Sequence, residues 1–144
     1  MKTNVDILVS VATKSGATLR NLPLAAFNAV LASAALCVDA GRVLSEREIN
    51  AALLDWLEHE GAFARTDHVE LRRILVDCGL LERDGFGRAY RRREPTPEFA
   101  AIFRELEGFD VRGAVARTRA EAARARSERA ARRRTATPAL RSGA

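Results

Sequence analysis

Four segments of the chain repeat apolar residues at the three- and four-residue spacing of an amphipathic helix. The first segment begins at Pro23, a residue that suits the first turn of a helix, and runs to about Cys37. Its core-facing side is predicted to consist of Leu24, Phe27, Val30, Leu31, Ala34 and Val38. The pattern therefore predicts a first buried helix.

The second and third helices are predicted from their first residues. Ser45 with Glu48, and Asp67 with Glu70, have the spacing of a capping box, in which a side chain bonds the free amide three residues on and receives a bond back. A glycine after each helix ends it, and these are Gly61 and Gly79. The predicted core-facing residues of the two helices are Ile49, Leu53, Trp56, Leu57, Leu71, Ile74, Leu75 and Cys78.

A hairpin is predicted after the third helix. Residues 80–83 and 88–91 read as two strands, and Gly85 and Gly87 between them supply the positive φ that a tight turn requires. Three helices followed by a hairpin is the order of a winged helix. The predicted fold class is therefore mainly α (α+β), a winged helix-turn-helix of three helices and a two-stranded wing.

Shorter patterns extend this core at both ends. Residues 7–11 form a short β-like run, residues 42–44 read as an extended connector, and Thr96–Pro97 starts a fourth helix. The chain is thus predicted to consist of an N-terminal arm (1–22), a winged-helix domain (23–94), a C-terminal packing helix (95–109) and an Arg/Ala-rich basic tail (110–144).

The tail is predicted to be helical or disordered, without a core of its own. Val111 and Val115 are the sizeable apolar side chains near its start, and Arg and Ala dominate the sequence that follows. High helix propensity favours a solvated helix that frays after Thr135.

The bulk composition fits one globular domain with appendages, since the 144 residues are 47% hydrophobic and 30% charged. The two cysteines, Cys37 and Cys78, are too few for a disulfide framework and fit a reducing, cytoplasmic location. An uncharged stretch covers residues 21–38, but Pro23 and Asn28 interrupt it, so a buried helix is expected and not a membrane span.

The net charge of +5 divides unevenly along the chain. Residues 111–144 carry ten arginines against two glutamates, whereas residues 1–110 carry fourteen basic and seventeen acidic groups. The folded part is therefore not globally basic, and an interaction with nucleic acid has to be argued separately for each part.

A family resemblance covers about half of the chain, residues 23–93. Residues 67–83, followed by Gly87 and Tyr90–Arg91, resemble the signature of a bacterial family called domain of unknown function 2087, and residues 44–50 resemble its other motif. The resemblance implies a winged-helix-like fold that often occurs beside repressor-type DNA-binding domains, with no established activity. This chain departs from the family where Leu24–Phe27 replace a basic cluster and where the second helix continues through Glu58, His59 and Glu60.

The outer face of the third helix is the first candidate for nucleic-acid contact. At 100° per residue, its outward side chains are Val69, Arg72, Arg73 and Val76, which suit guanine edges, phosphates and thymine methyl groups. Arg65 and His68 at the start of this helix could add phosphate contacts. Alternatively, the arginines pair with nearby carboxylates, and the two valines form a dimer surface.

The hairpin and the tail are two further candidates. Phosphate contact by the hairpin is assigned to Arg88, Arg91, Arg92 and Arg93, although positive charge on an edge strand also prevents strand addition. In the tail, the run Arg132–Arg133–Arg134 and the arginines before it form a sequence-independent polyanion binder. Compositional drift towards Ala and Arg remains the alternative for the tail.

Catalysis is not predicted, because Ser45 is accounted for as a helix cap and the two cysteines lie on apolar helical faces. No metal spacing, cofactor motif or small-molecule site is recognised. The predicted function is a winged-helix DNA-binding protein, a transcriptional regulator, with double-stranded DNA as partner and a homodimer possible. The alternative is a protein-interaction module that dimerises without reading DNA.

Overall fold

The computed structural model describes residues 2–14 and 16–142, and side chains as far as residue 136. The described residues form six α-helices, which are α1 (Asn4–Thr13), α2 (Leu24–Ala35), α3 (Glu46–Glu58), α4 (His68–Asp77), α5 (Pro97–Leu106) and α6 (Val111–Ser142). They also form three short strands, β1 (Leu44–Ser45), β2 (Leu81–Arg83) and β3 (Ala89–Arg92), and a 3₁₀ turn at Leu19–Asn21.

The three strands form one antiparallel sheet in the order β1-β3-β2. Leu44 of β1 pairs with Tyr90 of β3, and Arg83 of β2 pairs with the same tyrosine from the other side. The sequence α2–β1–α3–α4–β2–β3 is that of a winged helix, which confirms the predicted fold class. The predicted connector at residues 42–44 supplies a third strand, because its end meets β3.

The predicted helix starts are confirmed, with one difference. The Ser45 hydroxyl accepts the Glu48 amide at 3.1 Å and the Glu48 carboxylate accepts the Ser45 amide at 3.1 Å, which completes a capping box. Asp67 accepts the Glu70 amide at 2.7 Å. The Glu70 carboxylate turns away and accepts from Arg20 at 2.6 Å, so the second cap is one-sided.

Trp56 lies at the centre of the helical packing, with 1% of its surface exposed. Its indole N–H donates to the hydroxyl of Ser33 on α2 at 3.0 Å, so the buried polar group of α3 is satisfied. The amide of Gly61 donates to the Trp56 carbonyl at 2.8 Å as the chain turns back after α3. Gly61 faces the indole ring so closely that a Cβ there would lie 2.1 Å from a ring carbon.

The prediction of a β-like run at residues 7–11 is wrong, since these residues belong to helix α1. Thr3 and Asp6 form a capping box at its start, and Leu8 is completely buried against the rest of the core. The β-branched residues of the run favour a strand, but tertiary packing overrides this local preference, because α1 contacts α2, α5 and α6. The N-terminal part is therefore packed into the domain.

Two assignments of core-facing residues are also wrong. Leu24, at the start of α2, is 73% exposed, whereas α2 is buried around most of its circumference from Ala29 to Ala35. A helix packed between other elements needs no single apolar stripe. Cys78 is exposed, because it caps the end of α4 instead of lying on its inner face.

The first turns of the tail pack on the domain, whereas the sequence predicted a solvated helix. Val115 on α6 is 2% exposed, and Val111 packs against the main cluster of buried residues. Helix α6 then continues as one element to Ser142, where the sequence predicted fraying after Thr135. Among the described residues, no helix is both long enough and apolar enough to cross a membrane.

We expect Gly61→Ala to lower the free energy of unfolding by about 1–3 kcal/mol, because the added methyl group would overlap the Trp56 ring and overpacking is costly. Gly85→Ala is the matched control, since a Cβ at Gly85 meets nothing within 4 Å. Urea unfolding followed by the fluorescence of the single tryptophan measures both variants. Equal stability of the two variants would contradict the packing described above.

Candidate nucleic-acid interface

A groove of about 240 Å³ separates α4 from the strands β2 and β3. Its lining consists of Val69, Arg72, Arg73, Val76, Asp77, Arg83 and Tyr90. The four residues that helical spacing placed on the outer face of α4 are thus brought together, and they face the wing across this groove. The remaining wall comes from the sheet.

Arg73 and Arg83 are the exposed guanidinium groups of this groove. Neither side chain has a hydrogen bond or an ion pair with any residue that the structure describes. Arg83 was not among the predicted contact residues. Strand alternation could have identified it, because residues two positions apart share a sheet face and Arg83 therefore lies on the same face as the buried Leu81. Asp77 is the one carboxylate among the lining residues.

Arg72 was predicted to contact nucleic acid. It lines the groove, but its guanidinium is bonded to other residues of the protein. Its guanidinium donates to the Asn50 side chain at 2.5 Å, lies 3.5 Å from the Glu46 carboxylate and stacks over the Tyr90 ring at 5.3 Å. Only 16% of the side chain is exposed. Arg72 therefore ties α4 to α3 and to the sheet.

Arg92 was predicted to contact phosphate, but its side chain packs inside the protein. It shares a strand face with Tyr90, so its side chain turns inwards, stacks over Phe103 of α5 at 5.0 Å and donates to the Val38 carbonyl at 3.3 Å. Glu107 lies 3.6 Å from its guanidinium, and 13% of the side chain is exposed. This arginine joins the sheet to α5.

The other hairpin arginines remain at the surface. Arg91 points to the outer face of the sheet, where it is bonded to the carboxylate of its cross-strand partner Glu82. Arg88 at the wing tip stacks over the ring of Phe86 at 5.9 Å. Arg93 is exposed and follows β3 directly. The wing thus presents Arg88 and Arg93 to solvent, whereas the charge of Arg91 is compensated.

The wing turn is organised by Asp84. Its carboxylate accepts the amides of Arg88 at 2.8 Å and Phe86 at 3.2 Å, and these backbone bonds, that of Arg88 above all, hold its pKa below the ordinary value. Gly87 has the expected positive φ of 67°, whereas Gly85 does not. The turn therefore keeps a negative charge beside Arg88, which weakens the positive field of the wing.

The start of α4 carries the remaining predicted contacts of the domain. Arg65 is exposed with φ of 53°, a left-handed conformation just before the helix, and His68 is half-buried in its first turn. Glu70 lies in the same turn, and its bonds to Arg20 and Thr66 keep its pKa low. The start of α4 therefore carries an ionised carboxylate as well as Arg65 and His68.

The tail arginines divide into two groups. Arg112 and Arg119 near the start of α6 are bonded to groups of the domain. The predicted run Arg132–Arg133–Arg134 is exposed, and Arg132 lies 3.7 Å from Glu128. The positive charge of the tail is therefore concentrated beyond its packed turns.

A cavity of about 440 Å³ elsewhere, between α2, α3 and the start of α6, contains the Cys37 thiol. Burial raises the pKa of Cys37 to about 12, which favours the protonated thiol over the thiolate. No group of three His, Cys, Asp or Glu side chains within the described residues is arranged to hold a metal ion.

Arg72→Gln is expected to lower the free energy of unfolding by about 1–3 kcal/mol, because it leaves Asn50 and the face of Tyr90 without their charged partner. Arg73→Gln removes the same charge from the next position and should change stability by less than about 0.5 kcal/mol. Thermal or urea unfolding compares them. A stability loss of the same size in both variants would show that Arg72 is not a packing residue.

Comparison with known proteins places the winged-helix part in a family. A model of the family described as "Uncharacterized protein conserved in bacteria (DUF2087)" matches residues 25–92, from the first turn of α2 to the end of β3. No curated protein and no solved structure matches the chain. The match agrees with the resemblance seen in residues 44–50 and 67–83. Residues 25–92 of this chain are therefore a domain of the DUF2087 family.

Proposed function

We propose that this protein binds double-stranded DNA through the groove between α4 and the wing, and that it acts in the cytoplasm as a transcriptional regulator. The observation that supports this function is the pair Arg73 and Arg83, which face one groove without a partner among the described residues. A guanidinium that is bonded to nothing in the protein can give both of its edges to a phosphate or a guanine.

The surroundings of this arginine pair suit a duplex. Val69, which is 40% exposed, and Val76 lie on the same face of α4, where their methyl groups can contact thymine. Arg88 and Arg93 extend the surface along the wing. In winged-helix recognition the corresponding helix enters the major groove and the hairpin contacts the neighbouring backbone.

Arg72 contributes to the proposed surface indirectly, through its contacts inside the protein. Arg72 fixes the distance between α4 and the sheet, because it bonds α3 and stacks on Tyr90. Asp77, Glu82 and Asp84 lie around the groove or the wing and repel phosphates. Binding through this surface therefore depends on a few arginines, and we expect a strong effect from each.

A second candidate function is self-association through the wing. Phe86 at the wing tip is 83% exposed and Val43 beside β1 is 60% exposed, although both are large apolar residues. Val43 lines a shallow cavity together with Glu82 and Arg91, and this ion pair carries no net charge. A homodimer would cover Phe86 and Val43.

Arg73→Gln and Arg83→Gln are each expected to weaken binding to a selected duplex by about 1–3 kcal/mol if they contact bases, or to reduce the salt slope by about 1 if they contact phosphate. Fluorescence titration with a duplex enriched from a random pool makes the measurement. Arg104→Gln, an exposed arginine of α5 outside the groove, is the matched control for loss of charge.

Equal affinities of Arg73→Gln, Arg83→Gln and Arg104→Gln would refute the groove as a DNA surface. A chain that binds no duplex, but sediments as a dimer until Phe86 is replaced by Ser, would favour self-association instead.

A further inference from the structure

Asp77 is the acidic residue of an otherwise basic groove. It is the last residue of α4 and lines the groove between α4 and the wing together with Arg73 and Arg83. Its side chain is exposed and has no hydrogen bond or ion pair with any residue in the described part of the chain. The carboxylate therefore does not serve to bind a neighbouring cation of the domain.

This position is unfavourable for a carboxylate in the free protein. The C-terminal end of a helix carries partial negative charge, and the last turn of α4 contains no basic residue to offset that of Asp77. Arg73 lies one turn earlier, but an arginine that precedes its acidic partner gives the weaker order of a helical ion pair, and none forms here. A local arrangement that costs stability without a compensating contact is typical of a functional site.

The same carboxylate is unfavourable for a surface that contacts only phosphates, because like charges repel. It is favourable opposite the edge of one particular base. A carboxylate accepts hydrogen bonds and donates none. In the major groove cytosine presents an amino group, adenine presents an amino group beside an acceptor, and guanine and thymine present acceptors. Asp77 therefore fits a cytosine and is repelled by a guanine or a thymine.

Arg73 and Asp77 complement each other as readers of a duplex. The guanidinium of Arg73 donates to the acceptors of guanine, whereas the carboxylate of Asp77 accepts from the amino group of cytosine. The four residues from one to the other span about 6 Å along α4, which is about two base pairs at 3.4 Å each. A helix that lies along the major groove can therefore bring the two side chains to nearby base pairs.

We infer that Asp77 is a specificity-determining residue, which accepts a hydrogen bond from the amino group of a cytosine within about two base pairs of the guanine contacted by Arg73. This inference rests on the proposed DNA binding and adds to it which base the end of α4 selects. Much of the selectivity comes from rejection, since guanine or thymine at that position places an acceptor against the carboxylate.

Asp77→Asn tests the inference in the full-length chain, because it keeps the size of the side chain, removes its charge and adds an amide donor. Asparagine bonds the amino group and the ring acceptor of adenine together, so we expect the preferred base at this position to change from cytosine to adenine. Sequences enriched from a random duplex pool by each protein are compared. Four duplexes that differ only at this position are then titrated by fluorescence anisotropy.

We expect the unmodified chain to prefer cytosine over guanine or thymine by at least about fivefold in Kd, the effect of one mismatched base pair. Asp39→Asn is the matched control, because Asp39 is an exposed carboxylate that does not line the groove. This control should raise the affinity for all four duplexes by one common factor and leave their order unchanged. Thermal unfolding should show no loss of stability in Asp77→Asn, since the substitution removes a negative charge from a helix C-terminus.

The outcomes separate this inference from the proposed function. If Asp77→Asn tightens binding to all four duplexes by the same factor, as the control does, Asp77 is only a repelling charge and the inference is overturned. The proposed function then still stands, provided that Arg73→Gln and Arg83→Gln weaken binding. If the unmodified chain binds no duplex, both are overturned.

Discussion

The burial of Trp56 fixes the position of α3, and both the groove and helix α6 depend on that position. The indole ring fills the space beside Gly61, and its N–H is satisfied by Ser33 of α2. Helix α3 then carries groups at both ends that hold other elements. Asn50 near its start holds Arg72 of α4, and Asp55 near its end holds Arg112 of α6. One well-packed aromatic side chain thereby sets the frame for the groove and for the basic helix.

The arginines of this chain serve two physical roles, and burial separates them. Arg72 and Arg92 are mostly buried, stack on Tyr90 and Phe103, and link helices to the sheet. A guanidinium can be buried in this way because its flat face contacts the aromatic ring while its edges keep their hydrogen bonds. Arg73 and Arg83 are exposed and without partners among the described residues, so they are available to a ligand. Arginine density alone does not distinguish these roles.

The candidate site could be predicted in part. Helical spacing identified Val69, Arg73 and Val76 as outer residues of α4, and all three line the groove. The same spacing placed Arg72 beside them, but a helical wheel contains no information on Asn50, which is 22 positions away in sequence. Arg92 was misjudged for a similar reason, because α5 covers the strand face on which it lies.

Local interactions in this protein could be determined from the sequence alone. The Ser45–Glu48 capping box, the cap of α5 at Thr96 and the positive φ of Gly87 each involve residues within a few positions of one another, and short-range hydrogen bonds and sterics decide them. The helical state of residues 7–11, the burial of Val115 and the ion pairs of Arg112 depend on contacts with other helices of the fold. Only the tertiary structure decided those features, because the contacts that stabilise them exist only after the helices have packed.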